Sequence, residues 1–182
     1  SHARRSAQTA MYHIVSAMTR MMAPLLAFTS EEIWQAMPHR ATDVKESVFL
    51  NDMPAYDEAL TFCDVMEKWN KLFEMRDDVM KALEIARAEK VIGASLDAEI
   101  TVYADGEMYD FLNTIDDLAS VFIVSKANLV KGGEGAFKGE QDISVTVIHA
   151  EGEKCARCWK YSGDIGADNE HPTLCARCAA VL

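Results

Sequence analysis

A chain of 182 residues with 18 lysines and arginines against 29 aspartates and glutamates has a net charge of −11, which argues against coating nucleic acid by bulk charge. A nucleic-acid surface on such a protein has to be a local basic patch. About half of the residues are apolar (49%) without an uninterrupted run of membrane-spanning length, which allows one ordinary domain plus a small appendage, or two to three small units.

The opening Ser1-His2-Ala3 reads as the remnant of a removed tag. The chain then enters a helical pattern without a cap or initiator Met, so the expectation is a piece of a longer protein. Met11, Ile14, Val15, Met18, Met21, Met22, Leu25 and Leu26 recur at steps of three and four residues, one face of an amphipathic helix. Pro24 should end or kink it. Thr29 followed by Glu32 predicts a capping box for a second helix, with Phe28 and Ile33 as its hydrophobic staple. Pro38 should stop that helix, and Trp34 and the methionines are expected in the core. Residues 38–54 read as a connection containing an extended Ser47-Val48-Phe49-Leu50 segment.

The longest predicted element is a helix beginning between Asp57 and Thr61 and ending where Gly93 offers a C-terminal glycine cap. Val65, Trp69, Leu72, Val79, Met80, Leu83 and Ala86 share a face, and a helix of about 45 Å should act as a strut. Cys63 is expected there as a small buried hydrophobe. After Gly93 the period changes to two. Leu96, Ala98, Ile100 and Val102 alternate with polar residues as a strand, Asp105-Gly106 makes a turn, and Met108 to Leu118 return to helical spacing. Val121–Val124 and Ala127–Val130 read as further strands, 131–140 as a flexible glycine-rich loop, and Ile143, Val145 and Val147 as a last strand closed by His149. The β-α-β-β-β order predicts an α+β fold with a partial helical bundle at 4–93, a small α+β unit at 94–150 and a terminal ribbon at 151–182.

The strongest signal is in that ribbon. Cys155-Ala156-Arg157-Cys158 and Cys175-Ala176-Arg177-Cys178 are two Cys-x-x-Cys knuckles that can close four thiolates on one Zn²⁺. Four protein ligands leave no position for water, so the metal is expected to be structural and to organise a segment too small to fold on its own core. Two disulfides are the alternative, but no stretch reads as a secretory signal. A redox dithiol needs only one knuckle. His171 is an alternative ligand that would replace one sulfur, although it sits before Pro172 and outside both knuckles.

With the elements placed, Met22-Ala23-Pro24-Leu25-Leu26-Ala27-Phe28-Thr29-Ser30-Glu31-Glu32-Ile33-Trp34 resembles the anticodon-binding domain of class I aminoacyl-tRNA synthetases for Ile, Val and Leu. The run Lys81 to Ala98, through Val91-Ile92-Gly93-Ala94-Ser95-Leu96, and the terminal ribbon with Trp159 after the second cysteine are similar to the bacterial-type isoleucine enzymes. The resemblance covers Arg4 to Leu182. It implies a cytoplasmic parent ligase that uses ATP to activate isoleucine and esterifies the tRNA 3′ end. The His-x-Gly-His and Lys-Met-Ser-Lys-Ser type signatures of that chemistry are not in this sequence, so no catalytic residue is expected here. What the resemblance implies for this stretch is recognition of isoleucine-accepting tRNA, with the catalytic and editing domains of the parent as its other partners.

On that reading Arg157, Trp159, Lys160 and Arg177, with Lys154 nearby, are candidate tRNA contacts, and Arg87 and Lys90 at the end of the long helix are weaker ones. An indole offers a face for an unpaired base, and cations offer phosphate contacts. The opposing reading is that a zinc tetrathiolate carries two net negative charges, that the cations offset them, and that Trp159 packs the ribbon. A valine or leucine ligase shares the helical segment. A DNA-repair glycosylase shares the ribbon but needs an amino-terminal proline nucleophile and a basic face. A protein-binding ribbon is the third rival.

Overall fold

The computed structural model describes residues 2–182, the side chains of Ala3 and Asp64 excepted; Ser1 of the expected tag remnant lies outside them. The chain divides into two compact units, Ser1–Thr61 and Phe62–Leu182. The change from helical to strand periodicity at 93 is thus a change of secondary structure within one compact unit.

The first unit holds α1 (His2–Met22) and α2 (Ala27–Ala36). Pro24 falls in the turn between them, where its missing N–H costs no helical bond. The expected capping box does not form. The N–H groups of Leu25 and Leu26 still bond to Met22 O, and Ser30 N already bonds to Leu26 O, so α2 starts three residues early and Thr29 lies inside it. Phe28 is 94% exposed and staples nothing. The core is Ala23, Trp34 and Val48; Met11, Met18, Met21 and Met22 remain exposed, since within this unit α1 packs on one short helix and the turn at 48–50. The Val48–Leu50 segment is a single 3₁₀ turn instead of a strand. The Ser47 hydroxyl accepts from Phe49 N, and Glu31 accepts from both Ser47 Oγ (2.8 Å) and Val48 N (3.0 Å), which bends the chain there.

The second unit opens with α3 (Cys63–Ala88). At 26 residues it spans about 39 Å. It ends before Gly93. Val91 N reaches Ala86 O and Lys90 N reaches Arg87 O, the paired bonds of a Schellman cap, with Lys90 itself in the left-handed position at φ 61°. Gly93 serves the next turn, donating its N–H to Asp97 Oδ2. Only the second half of α3 is covered: Leu72, Met75, Val79, Ala82, Leu83 and Ala86 are buried, whereas Val65 and Trp69 are exposed. Cys63 is exposed as well, contrary to expectation, since it opens that uncovered half.

The sheet against which α3 packs contains β1 (Ala98–Ala104), β2 (Lys126–Lys131), β3 (Phe137–Lys138) and β4 (Ile143–His149), ordered β2-β1-β4-β3. β2 runs parallel to β1; β4 is antiparallel to both β1 and β3. Between β1 and β2 lie α4 (Gly106–Leu112) and α5 (Leu118–Val121), the crossover that a parallel pair requires. The register pairs Ile100 with Val147 and Ala127, and Val102 with Val145 and Leu129, placing one apolar row on the helix-covered face. The expected strand at Val121–Val124 is instead the last residue of α5 and the turn that follows it. The Asp117 carboxylate accepts from Ser120 N (2.9 Å) and starts the helix, which stops at a second Schellman cap with Ile123 at φ 56°. The glycine-rich 131–140 stretch contains β3. It is fixed by buried Asp78 of α3, whose Oδ2 accepts from Glu140 N (2.7 Å) and Gln141 N (2.9 Å). A Cβ on Gly139 would overlap that carboxylate.

Candidate metal centre and nucleic-acid surface

The ribbon begins with a two-stranded hairpin, β5 (Glu153–Lys154) and β6 (Tyr161–Ser162), and ends with α6 (Ala176–Ala179). The first knuckle sits at the hairpin tip: Cys155 N bonds to Lys160 O, Trp159 N returns to Cys155 O, and Trp159 takes φ 63° to close the turn. Gly152 allows the hairpin base to close, since a Cβ there would strike Ser162 O. The second knuckle is the start of α6, with Cys175 as its N-cap residue. Ala156 N bonds to Thr173 O, tying one knuckle to the other.

All four sulfurs of Cys155, Cys158, Cys175 and Cys178 lie within 4.8 Å of one another, and three of the four cysteines are buried. Tetrahedral coordination at the usual Zn–S distance of about 2.3 Å requires sulfurs about 3.8 Å apart. Cys158 Sγ and Cys175 Sγ are 3.8 Å apart. His171 is outside this group among the described residues. The electrostatics fit a cation too. Burial raises the Cys155 thiol pKa, but N–H groups of Cys158, Cys175 and Arg157 aimed at its sulfur hold it below the usual thiol range. Burial and its three thiol neighbours push Cys178 up. Four sulfurs this close cannot all ionise without a positive charge among them, and a soft divalent metal supplies it. The donor set and spacing fit one structural zinc.

The cations around the knuckles are already committed. Arg157 donates to Cys178 O at 3.0 Å. Burial lowers the Arg177 guanidinium pKa, and its bond to the Cys158 sulfur with the negative charge of the other thiols raises it overall. Lys160 reaches Ser120 Oγ at 3.4 Å, and Lys154 is 3.8 Å from Asp97 Oδ1. Ser120 also draws the Asp117 carboxyl below the ordinary range, assisted by the charges of Lys160 and Arg177. Trp159 is 62% exposed, and Lys154, Arg157 and Arg177 are exposed as well. Arg87 bonds Ser95 Oγ at 3.3 Å, and Lys90 is the left-handed residue of the α3 cap.

Two supporting residues carry no local sequence signal. Asp164 accepts from Ser162 Oγ and from Ala176 N (3.1 Å), so one carboxylate joins the hairpin to the second knuckle. The Ser162 hydroxyl holds the Asp164 pKa below the ordinary carboxylate range. Ser125, at the foot of β2, accepts from Tyr161 N (2.7 Å) while donating to Leu96 O, which joins the ribbon to the sheet. His149 and Tyr161 stack edge to face beside it, 5.0 Å between centroids. Among the described residues no helix is long and apolar enough to cross a membrane.

Residues 1–102 match the family model described as "Anticodon-binding domain of tRNA ligase", and residues 152–181 match "Zinc finger found in FPG and IleRS". Among curated relatives, the isoleucine–tRNA ligase of Caldanaerobacter subterraneus subsp. tengcongensis is 49% identical across 99% of the chain. Those of Carboxydothermus hydrogenoformans and Kosmotoga olearia are each 46% identical, across 100% and 98% of it. In each case the match covers about a fifth of the relative, 20%, 20% and 19% in turn.

Proposed function

This chain belongs to the anticodon-binding domain family of tRNA ligases, and from that premise we propose that it is the tRNA-recognition portion of a cytoplasmic isoleucine–tRNA ligase. The observation that carries the reading is the union, in one chain, of the anticodon-binding match with a four-cysteine finger, at nearly half identity to isoleucine ligases along its whole length. That union favours the isoleucine enzymes over the valine and leucine ones. Its role is to bind isoleucine-accepting tRNA and present it to the catalytic and editing domains of the parent ligase. No catalytic residue is assigned here.

Cys155, Cys158, Cys175 and Cys178 are the zinc ligands in this reading, supported by their mutual distances. The metal holds the two knuckles together and performs no step of the ligase reaction. Of the ribbon's candidate tRNA contacts, exposed Trp159 is the strongest. Arg157, Lys160 and Arg177 serve first to hold the ribbon and offset the thiolates, and touch phosphate only with what charge remains. Arg87 and Lys90 rank below them.

Filter binding tests the role. The chain should retain isoleucine-accepting tRNA at concentrations where duplex DNA passes through, and isoleucine-dependent exchange of pyrophosphate into ATP should stay at background. Equal retention of both nucleic acids, or exchange above background, overturns it.

A further inference from the structure

From His2 to Met22, α1 carries Arg4, Arg5 and Arg20 and not one aspartate or glutamate, in a chain of net charge −11. Its apolar stripe uses Met11, Ile14, Val15 and Met18, which leaves Tyr12 and His13 off that stripe. The loop after α2 is fastened beside them by Asp43. That carboxylate is nearly buried and accepts from Arg20 Nη2 (2.8 Å), Arg40 N (2.8 Å) and Tyr12 Oη (3.3 Å). Arg20 neutralises Asp43, so the guanidinium of Arg40 is not needed there. It lies 5.2 Å over the Tyr12 ring and donates to His13 Nδ1 at 3.0 Å. A donor at Nδ1 places the His13 proton on Nε2 in the neutral ring. Arg40 makes no ion pair among the described residues, and both it and His13 are exposed.

A guanidinium placed over an aromatic ring, bonded to a histidine, exposed, without a carboxylate partner among the described residues and beside a helix free of acids is available to a ligand with a π face. Unpaired RNA bases are bound in this way, stacked on guanidinium planes and read at their edges by nearby donors. We propose that Arg40, ordered by Tyr12 and His13, is a stacking platform for one unpaired base of an RNA loop. His13 Nε2 supplies an edge donor, and Arg4 and Arg5 lie on the same acid-free helix for the backbone. The assignment rests on the recognition role proposed above and specifies the class of contact within it: single-stranded RNA, not duplex. The flexible lysine of an Arg40→Lys variant keeps the charge but loses the plane, and so separates stacking from simple attraction.

The test uses the 182-residue chain with two probes, an RNA hairpin bearing the anticodon loop of an isoleucine-accepting tRNA and a fully paired RNA duplex of equal length. Arg40→Lys should weaken hairpin binding about fivefold or more with an unchanged salt dependence, and should leave duplex binding alone. Arg40→Gln, which removes the plane and the charge together, should lose at least as much. Tyr12→Phe, which keeps the ring and gives up only the bond to Asp43, should bind as the parent does. Amide protection in α1 verifies folding in each variant; the side chain of Arg40 carries no bond to Asp43, so the loop should stay in place. An Arg40→Lys variant with parental hairpin affinity, or one that loses equally on duplex, overturns the platform. If the parent itself retains neither RNA, the recognition role falls first and the platform with it.

Discussion

The two compact units differ in how they are held together. In the second, α3, α4 and α5 bury an unbroken apolar row of the sheet, with Leu72, Met75, Leu83, Ile100, Val102, Phe122 and Val145 almost wholly removed from water. In the first, the buried apolar residues are Ala23, Trp34 and Val48. Its order comes from directed polar contacts: Glu31 on the Ser47 turn, Asn51 bonding Val44 and Ser47, and Asp43 joining Arg20, Tyr12 and Arg40. Burying a large side chain stabilises by about 1.5–3 kcal/mol. A hydrogen bond nets roughly 1 kcal/mol, so polar wiring positions a segment better than it stabilises one. The same contrast recurs inside the second unit, where the sheet folds on its apolar core and the ribbon on its sulfurs.

The largest expected effect separates ribbon from sheet. Chelating zinc should abolish amide protection across 152–181 and leave β1, β4 and the second half of α3 protected, because the ribbon's buried cluster is built of cysteines with only Ile165 and Leu174 packed beside them. Serine at any of the four clustered positions should give the same pattern; Cys63→Ser should keep its zinc. Loss of the sheet's protection on chelation would mean that the two form one cooperative body. A smaller effect separates the sheet from the helical unit. Phe122→Ala should cost about 3–5 kcal/mol in urea unfolding monitored on the sheet, whereas Phe28→Ala, at a residue 94% exposed, should stay within about 0.5 kcal/mol. A large loss from Phe28 would show that the helical face is covered in solution.

What the sequence disclosed tracks the same contrast. Where burial is one-sided and regular, periodicity sufficed: the alternation through Ala98–Val102 and Ile143–Val147 is the observed sheet, and the four cysteines meet as their spacing required. Local signals misled where a stronger competitor lay out of sight. The Thr29/Glu32 pattern lost to a turn that continued α1's own hydrogen bonds, and Gly93 lost the α3 cap to Lys90. The run Val121–Val124 looked like a strand because its apolar residues are consecutive. Asp117 supplied a helix start, and a left-handed Ile123 turned the chain into β2. Asp78, Ser125 and Asp164 were invisible because their partners lie 62, 36 and 12 residues away, and no window reads at those separations. The same holds for Arg40, whose place on Tyr12 depends on a loop fastened by a carboxylate three residues further on.

The smallest expected effect tests whether polar wiring holds the helical unit. Burial pushes the Asp43 carboxyl up, but the Arg40 N–H, the Arg20 charge and the Tyr12 hydroxyl together hold it below the ordinary carboxylate value. A carboxyl whose pKa is depressed by folding stabilises fully above its unfolded value, near 3.9, and that contribution is lost as pH falls through the lower folded value. Asp43→Asn should therefore cost about 1–3 kcal/mol of protection in α1 at neutral pH, from weakened bonds to Arg20 and the Arg40 loop. The parent should lose stability relative to the variant below about pH 4, where asparagine has no proton to take up, and the gap between them should narrow toward about pH 2. Taking the difference between the two proteins cancels other carboxylates that folding depresses, such as Asp117 and Asp164. A gap that stays constant from neutral to acid pH would mean that the charge of Asp43 contributes nothing. The helical unit would then owe its order to Trp34 and its few apolar neighbours.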